Sequence, residues 1–171
     1  MRARETFTAL LLTCALAAVP ASALRSPVQA TPVKLSLRSL QGDSVQVGGG
    51  APPVLLAVFA TWCRSCKDEV AAFNRLQKEF APRGVRVVAL SADDIPDERL
   101  RAWLARYHGE YPVVRDTTRA ALQALRVVGV PEAHLVGSDG RVMWSKRGPV
   151  ESGLPSLRDA VARLRSNPAS R

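Results

Sequence analysis

The sequence predicts an α/β fold, a mixed central sheet with helices on both faces. Three observations carry that prediction. Apolar runs of strand length alternate with segments of helical periodicity, which is the order of βαβ units around a parallel core. The run "VLLAVFA" (54–60) contains no polar side chain, as a central strand covered on both faces requires. The segments "EAHLV" and "RVMWS" flank the turn "GSDG", and this hairpin adds an antiparallel edge.

The elements follow in order. "VKLSLRSL" (33–40) alternates apolar and polar residues and reads as a strand. "QGD" turns the chain, and "SVQV" (44–47) pairs back to complete an N-terminal β-hairpin. After the loop "GGGAPP" comes the buried strand 54–60. From Arg64 the pattern is helical, with Val70, Phe73, Leu76 and Phe80 on one stripe, until "PRG" stops it. "VRVVALS" (85–91) is the next buried strand. A central helix–strand insertion follows. Its helix runs from Asp97 to His108 with Leu100, Trp103, Leu104 and Tyr107 on one face, and its strand is "YPVV" (111–114). "TTRAALQALRV" (117–127) reads as a helix capped by Asp116 or Thr117. "LPSLRDAVARLR" (154–165) closes the domain, and 166–171 is a tail.

The first 23 residues read as something other than fold. Arg2 and Arg4 precede an uncharged apolar stretch, Phe7 to Val19, and Ala21 and Ala23 frame Ser22 in an A-x-A ending. This is the pattern of a secretory signal peptide, with cleavage expected after Ala23. The stretch is short for a membrane span, which takes about 20 apolar residues. An uncleaved signal would tether the protein to the membrane. Residues 24–32 read as a linker, and 33–165 as one domain. The expected location is therefore the periplasm or another extracytoplasmic space.

Hydrophobic residues make up 47% and charged residues 23%, a balance that supports a real core. Net charge is +9; removing Arg2, Arg4 and Glu5 takes away one positive charge and leaves a basic mature chain. A basic surface of this kind is read as solvated. Nucleic acid is not an expected partner, because no basic motif with interleaved aromatics is present. The chain is expected to be a monomer and to need no cofactor.

The chemistry concentrates in "FATWCRSCKDEV" (59–70). Cys14 lies in the signal, so the mature chain keeps only Cys63 and Cys66. A disulfide closing so short a loop stabilises little in the chain-entropy model. A closed zinc site wants four ligands, and only His108 and His134 could join the cysteines, so no metal is expected. A redox couple remains. Cys63 falls where a strand hands over to a helix, and a helix N-terminus favours the thiolate. Arg64 adds a cation. Cys63 is the expected nucleophile and Cys66, one turn on, the resolving thiol.

These residues resemble the active site of the thioredoxin superfamily. "VVALSADD" and "LRVVGVPEAHLVGSDGRV" narrow the resemblance to the TlpA/ResA/CcmG group of exported thiol–disulfide oxidoreductases, over roughly residues 33 to 165. The resemblance implies a thioredoxin-like fold. It implies a cis peptide before Pro131, with the Val130 backbone free to pair with an extended substrate. It implies that Trp62 covers the disulfide, and that Glu69, three residues after Cys66, exchanges a proton with that thiol from a partly buried position. It also implies a membrane thiol transporter as electron donor and an oxidised exported protein, such as an apocytochrome c, as acceptor.

The sequence departs from the group at Ser65 and Ala71, where prolines are common, and at His134, where an aromatic or aliphatic residue is usual. Glu132 after the proline resembles the CcmG branch. His134 reads as a satisfied strand histidine, and Asp93 and Asp94 as a solvated loop with partner steering as the alternative. Two other functions stay open at this point: a thiol peroxidase of the redoxin type, and copper handling through both thiols and His134.

Overall fold

The structure, a computed structural model, describes residues 31–166. The expected signal, nearly all of the linker and most of the tail lie outside the described residues.

Seven strands form one sheet in the order β2-β1-β5-β4-β3-β6-β7. The N-terminal hairpin, β1 (Leu35–Ser39) and β2 (Ser44–Val47), pairs antiparallel with Leu37 opposite Val45. It joins the sheet through β5 (Val113–Arg115). The chain enters this fold at Val33, whose N–H donates to the Gly140 carbonyl at 2.7 Å. Gly48 and Gly140 press against it with positive φ; a Cβ at either would lie 2.1 or 2.2 Å from the Val33 carbonyl oxygen, so both positions require glycine.

β3 (Val54–Phe59) lies between β4 (Arg86–Ser91), parallel to it, and β6 (Glu132–Val136), antiparallel to it. All six β3 side chains are buried, because alternate residues serve opposite faces. Leu55, Ala57 and Phe59 join Val70, Phe73, Leu76 and Phe80 of α1 (Cys66–Phe80) and Leu157, Val161 and Leu164 of α4 (Leu154–Ser166). Leu100 of α2 (Asp97–Tyr107) belongs to the same cluster. Val54, Leu56 and Val58 face Leu122 of the short α3 (Ala120–Ala124) on the opposite side. Helices therefore cover both faces, and β7 (Val142–Arg147) forms the antiparallel edge beside β6. No helix among the described residues is long and apolar enough to cross a membrane.

Two helices differ from the sequence expectation. α1 begins at Cys66 rather than Arg64, and Ser65 caps it without a side-chain hydrogen bond. Residues 61–65 form a turn, so Cys63 precedes the helix instead of opening it. α3 is shorter than 117–127. Arg119 takes a left-handed conformation at its start, and Asp116 caps from outside, its carboxylate accepting the Leu122 N–H at 2.8 Å.

Candidate active site

Where β3 ends, its hydrogen bonds to β4 give out and the chain turns outward. The Cys63 N–H donates to the Ala60 carbonyl at 3.1 Å, and the Cys66 N–H to the Cys63 carbonyl at 3.2 Å. This double turn folds the cysteines together. Cys63 and Cys66 form a disulfide with an S–S distance of 2.13 Å. The Cys66 N–H, the first of α1, also points at the Cys63 sulfur at 3.2 Å, and the Ser65 hydroxyl lies 3.7 Å from it. Although Cys63 is outside the helix, an N–H of the helix start thus reaches its sulfur as well as its carbonyl. Cys63 is 8% exposed and Cys66 2%, so attack from outside meets Cys63 first.

Beneath the disulfide, Cys66, Glu69, Tyr111, Trp103 and Pro131 line a cavity of about 10 Å³, room for about one water. Glu69 is 6% exposed, and its carboxylate accepts the Val150 N–H at 2.6 Å. Burial pushes Glu69 above the ordinary carboxylate range. The Val150 N–H opposes this, and the nearby anions Glu151 and Asp68 add to it. Burial, and then the charge of Glu69, push the Tyr111 phenol up as well. Sequence reasoning missed Tyr111, which lies just before β5 and reaches the cavity from far along the chain.

Beside the disulfide, on the outside, Trp62, Ala92, Arg119, Leu122, Val128 and Val130 are among the residues lining an open groove of about 420 Å³. Trp62 is 73% exposed and Val128 72%, so Trp62 is no core aromatic. The Val130–Pro131 peptide is cis, and the Val130 N–H and carbonyl make no hydrogen bond among the described residues. Pro131 therefore borders the cavity while Val130 borders the groove.

Glu132 and His134 lie on the α3 face of β6, opposite Val58 and Leu56. Both are buried. Glu132 accepts the Val128 N–H at 3.4 Å and lies 3.8 Å from Arg147. His134 Nε2 stands 3.3 Å from Glu132 without the geometry of a hydrogen bond. The expectation of a satisfied strand histidine is corrected here: the ring is structural and buried, but Nε2 is unpaired. Burial, and secondarily Arg147, hold its pKa down at about 4. The cysteines pack with the α1 face instead, so His134 does not join them. No group of three or more metal-ligating side chains occurs among the described residues. Asp93 also departs from expectation. It is half-buried, and its carboxylate binds Thr61, which a solvated loop does not do.

A seven-stranded mixed sheet with a disulfide at the exit of its central strand and a cis-proline opposite defines a thioredoxin-type dithiol protein. The chain belongs to the AhpC/TSA family, which it matches over residues 29–145. It is similar to the thiol-disulfide oxidoreductase ResA of Bacillus thuringiensis subsp. konkukian (strain 97-27), 28% identical over 115 residues, covering 67% of this chain and 61% of the relative. It is also similar to the thiol:disulfide interchange protein CycY of Rhizobium leguminosarum bv. viciae, 33% identical over 116 residues, 64% of this chain and 60% of the relative. The chain thus spans about three-fifths of the length of these curated relatives. Among solved structures, StoA from Bacillus subtilis superposes with a TM-score of 0.65 at 16% identity, covering 77% of this chain and 98% of that one. That likeness shows the fold.

Proposed function

We propose that this chain is a thiol–disulfide oxidoreductase that acts outside the cytoplasm and reduces disulfides in exported proteins. The observation that carries the reading is the Cys63–Cys66 disulfide with the Cys66 N–H directed at the Cys63 sulfur. In the reduced protein that N–H favours a Cys63 thiolate. The thiolate attacks a substrate disulfide; one substrate sulfur leaves as thiolate and the other is held on Cys63. Cys66 passes its proton to Glu69 and attacks the Cys63 sulfur. The second substrate sulfur leaves, and the Cys63–Cys66 bond holds the two electrons' worth of oxidation taken from the substrate.

The groove gives this chemistry a docking place. An extended substrate segment pairs with the Val130 backbone, with Trp62 and Pro131 on either side. The names of the relatives support a thiol–disulfide role, and the signal-like N-terminus supports export. The group resemblance supports a membrane thiol transporter as donor and an apocytochrome c as acceptor.

The test is to express the Cys66→Ala chain in its native host, quench with acid, alkylate and identify what is trapped on Cys63. Exported proteins in mixed disulfides are expected; none at all would count heavily against the reading. Peroxide consumption lost in Cys63→Ser but kept in Cys66→Ser would favour a thiol peroxidase instead.

A further inference from the structure

Asp93 follows β4, and its partner Thr61 lies 32 positions earlier in the chain. The carboxylate takes the Thr61 N–H through both oxygens, at 3.1 and 2.9 Å, and the Thr61 hydroxyl at 2.9 Å. The Ser91 hydroxyl donates to it at 3.0 Å, and the Asp93 N–H returns to Ser91 Oγ at 3.2 Å. Next to it the Ala92 N–H donates to the Phe59 carbonyl at 2.8 Å. The ends of β3 and β4 are thereby cross-linked at the point where the chain leaves the sheet to form the dithiol turn. Thr61 sits between Ala60, whose carbonyl accepts the Cys63 N–H, and Cys63 itself. Its peptide orientation therefore sets where the Cys63 sulfur lies relative to the Cys66 N–H.

We propose that Asp93 is a positioning residue: by clamping Thr61 it holds the turn that presents the Cys63 sulfur to the first N–H of α1, and so favours the thiolate. The proposal rests on Cys63 being the attacking thiol. Its physics is unusual in sign. A carboxylate acting only as a nearby charge disfavours a thiolate, so its removal should lower the pKa of Cys63. A carboxylate acting through geometry does the reverse, because its removal loosens the N–H···S contact. One substitution therefore separates the two roles.

The test uses the full chain in a Cys14→Ser, Cys66→Ser background, which leaves Cys63 as the one thiol, titrated by thiolate ultraviolet absorbance. Asp93→Ala is expected to raise the Cys63 pKa by about one unit. Below that pKa the thiolate falls about tenfold while its intrinsic nucleophilicity rises about threefold, so attack on Ellman's reagent slows about threefold. Asp93→Asn keeps an acceptor oxygen and should recover most of the shift. Thr61→Val keeps the carboxylate charge, loses the hydroxyl bond and should move the pKa up in part. It also keeps the idea testable if Asp93→Ala fails to fold.

A Cys63 pKa that stays put or falls in Asp93→Ala, or stays put in Thr61→Val, overturns the positioning role, whatever happens to the melting temperature. Cys63→Ser with Cys66 retained and Cys14 replaced by Ser separates this from failure of the underlying assignment. A low thiol titration surviving there sinks Cys63 as the nucleophile. Its loss there, beside an unmoved titration in Asp93→Ala, sinks only the clamp.

Discussion

Glu69 and Glu132 are both buried carboxylates, 6% and 4% exposed, and they lie on opposite faces of the sheet, Glu69 on the side of the thiol pair. Their surroundings differ. Glu69 has one hydrogen-bond donor, the Val150 N–H, and two anions nearby. Glu132 has the Val128 N–H, the Arg147 guanidinium and the His134 ring around it. Burial alone does not assign a carboxylate its work; the supply of donors does. A poorly compensated carboxylate is pushed toward holding a proton, which suits it to exchange one with Cys66 across the small cavity. A carboxylate with compensating neighbours can fasten a loop, here the segment that leads into the cis-proline.

The sharpest way to probe the Glu132 side is through His134. Its pKa is held at about 4, below the ordinary 6.5, so the unfolded chain takes up a proton between these values while the folded chain does not. The stabilisation is therefore complete above pH 6.5 and lost as pH falls to 4. With about 1.4 kcal/mol per unit, the loss approaches ~3 kcal/mol. Denaturant melts at pH 7, 5.5 and 4 should show it in the native chain, and His134→Leu should flatten it. Equal acid sensitivity in His134→Leu would place the cause elsewhere.

Glu69 should respond in the opposite sense. Its folded pKa is raised, so its favourable contribution exists below the ordinary value of 4.5 and is lost as pH rises through the folded value. At neutral pH the charge is a burden, and Glu69→Gln, which can still accept the Val150 N–H, should hold or raise the melting temperature. The same change removes the proton acceptor proposed for Cys66. Release of a mixed disulfide should slow by about a hundredfold, the lower end for general acid–base catalysis. A stopped-flow trace with unchanged release would return Glu69 to a purely structural part.

Glu132→Ala leaves the Val128 N–H and the Arg147 guanidinium without their carboxylate, at a cost of about 2 kcal/mol. Glu132→Gln keeps an acceptor for Val128 and should lose less than half of that in the same melt. If the two variants are equally damaged, the charge near Arg147 matters more than the bond to the loop.

Much of this was legible in the sequence. The unbroken apolar run of β3 and the alternation of strand and helix periods reflect burial, which composition records directly. Cys63 and Cys66 share one local turn, so spacing sufficed to propose them, and resemblance added Glu69, Trp62 and Pro131. The rest depends on tertiary neighbours. The start of α1 was placed two residues early, although Ser65 is a favoured N-cap type and stands at the cap. α3 was overextended because Arg119 turns left-handed, against its ordinary preference. Asp93 looked like solvated loop because Thr61 is far away in the chain, and Tyr111 reaches the cavity only because β5 docks beside β4.

The smallest effect on stability belongs to a residue outside both carboxylate environments. Trp62 is 73% exposed, so Trp62→Ala should change the unfolding free energy by less than about 0.5 kcal/mol. It should leave the acid transition of His134 and the mixed-disulfide release proposed to depend on Glu69 unchanged. What it removes is apolar area at the groove opposite Val128. Capture of a protein disulfide should then weaken by about tenfold in KM, worth about 1.4 kcal/mol, with kcat retained. Reduction of a small reagent disulfide, which spans no groove, should proceed at the native rate. If the small reagent slows as much as the protein substrate, Trp62 acts on the sulfur itself, and the division between a buried proton side and an exposed docking side fails at the residue adjoining Cys63.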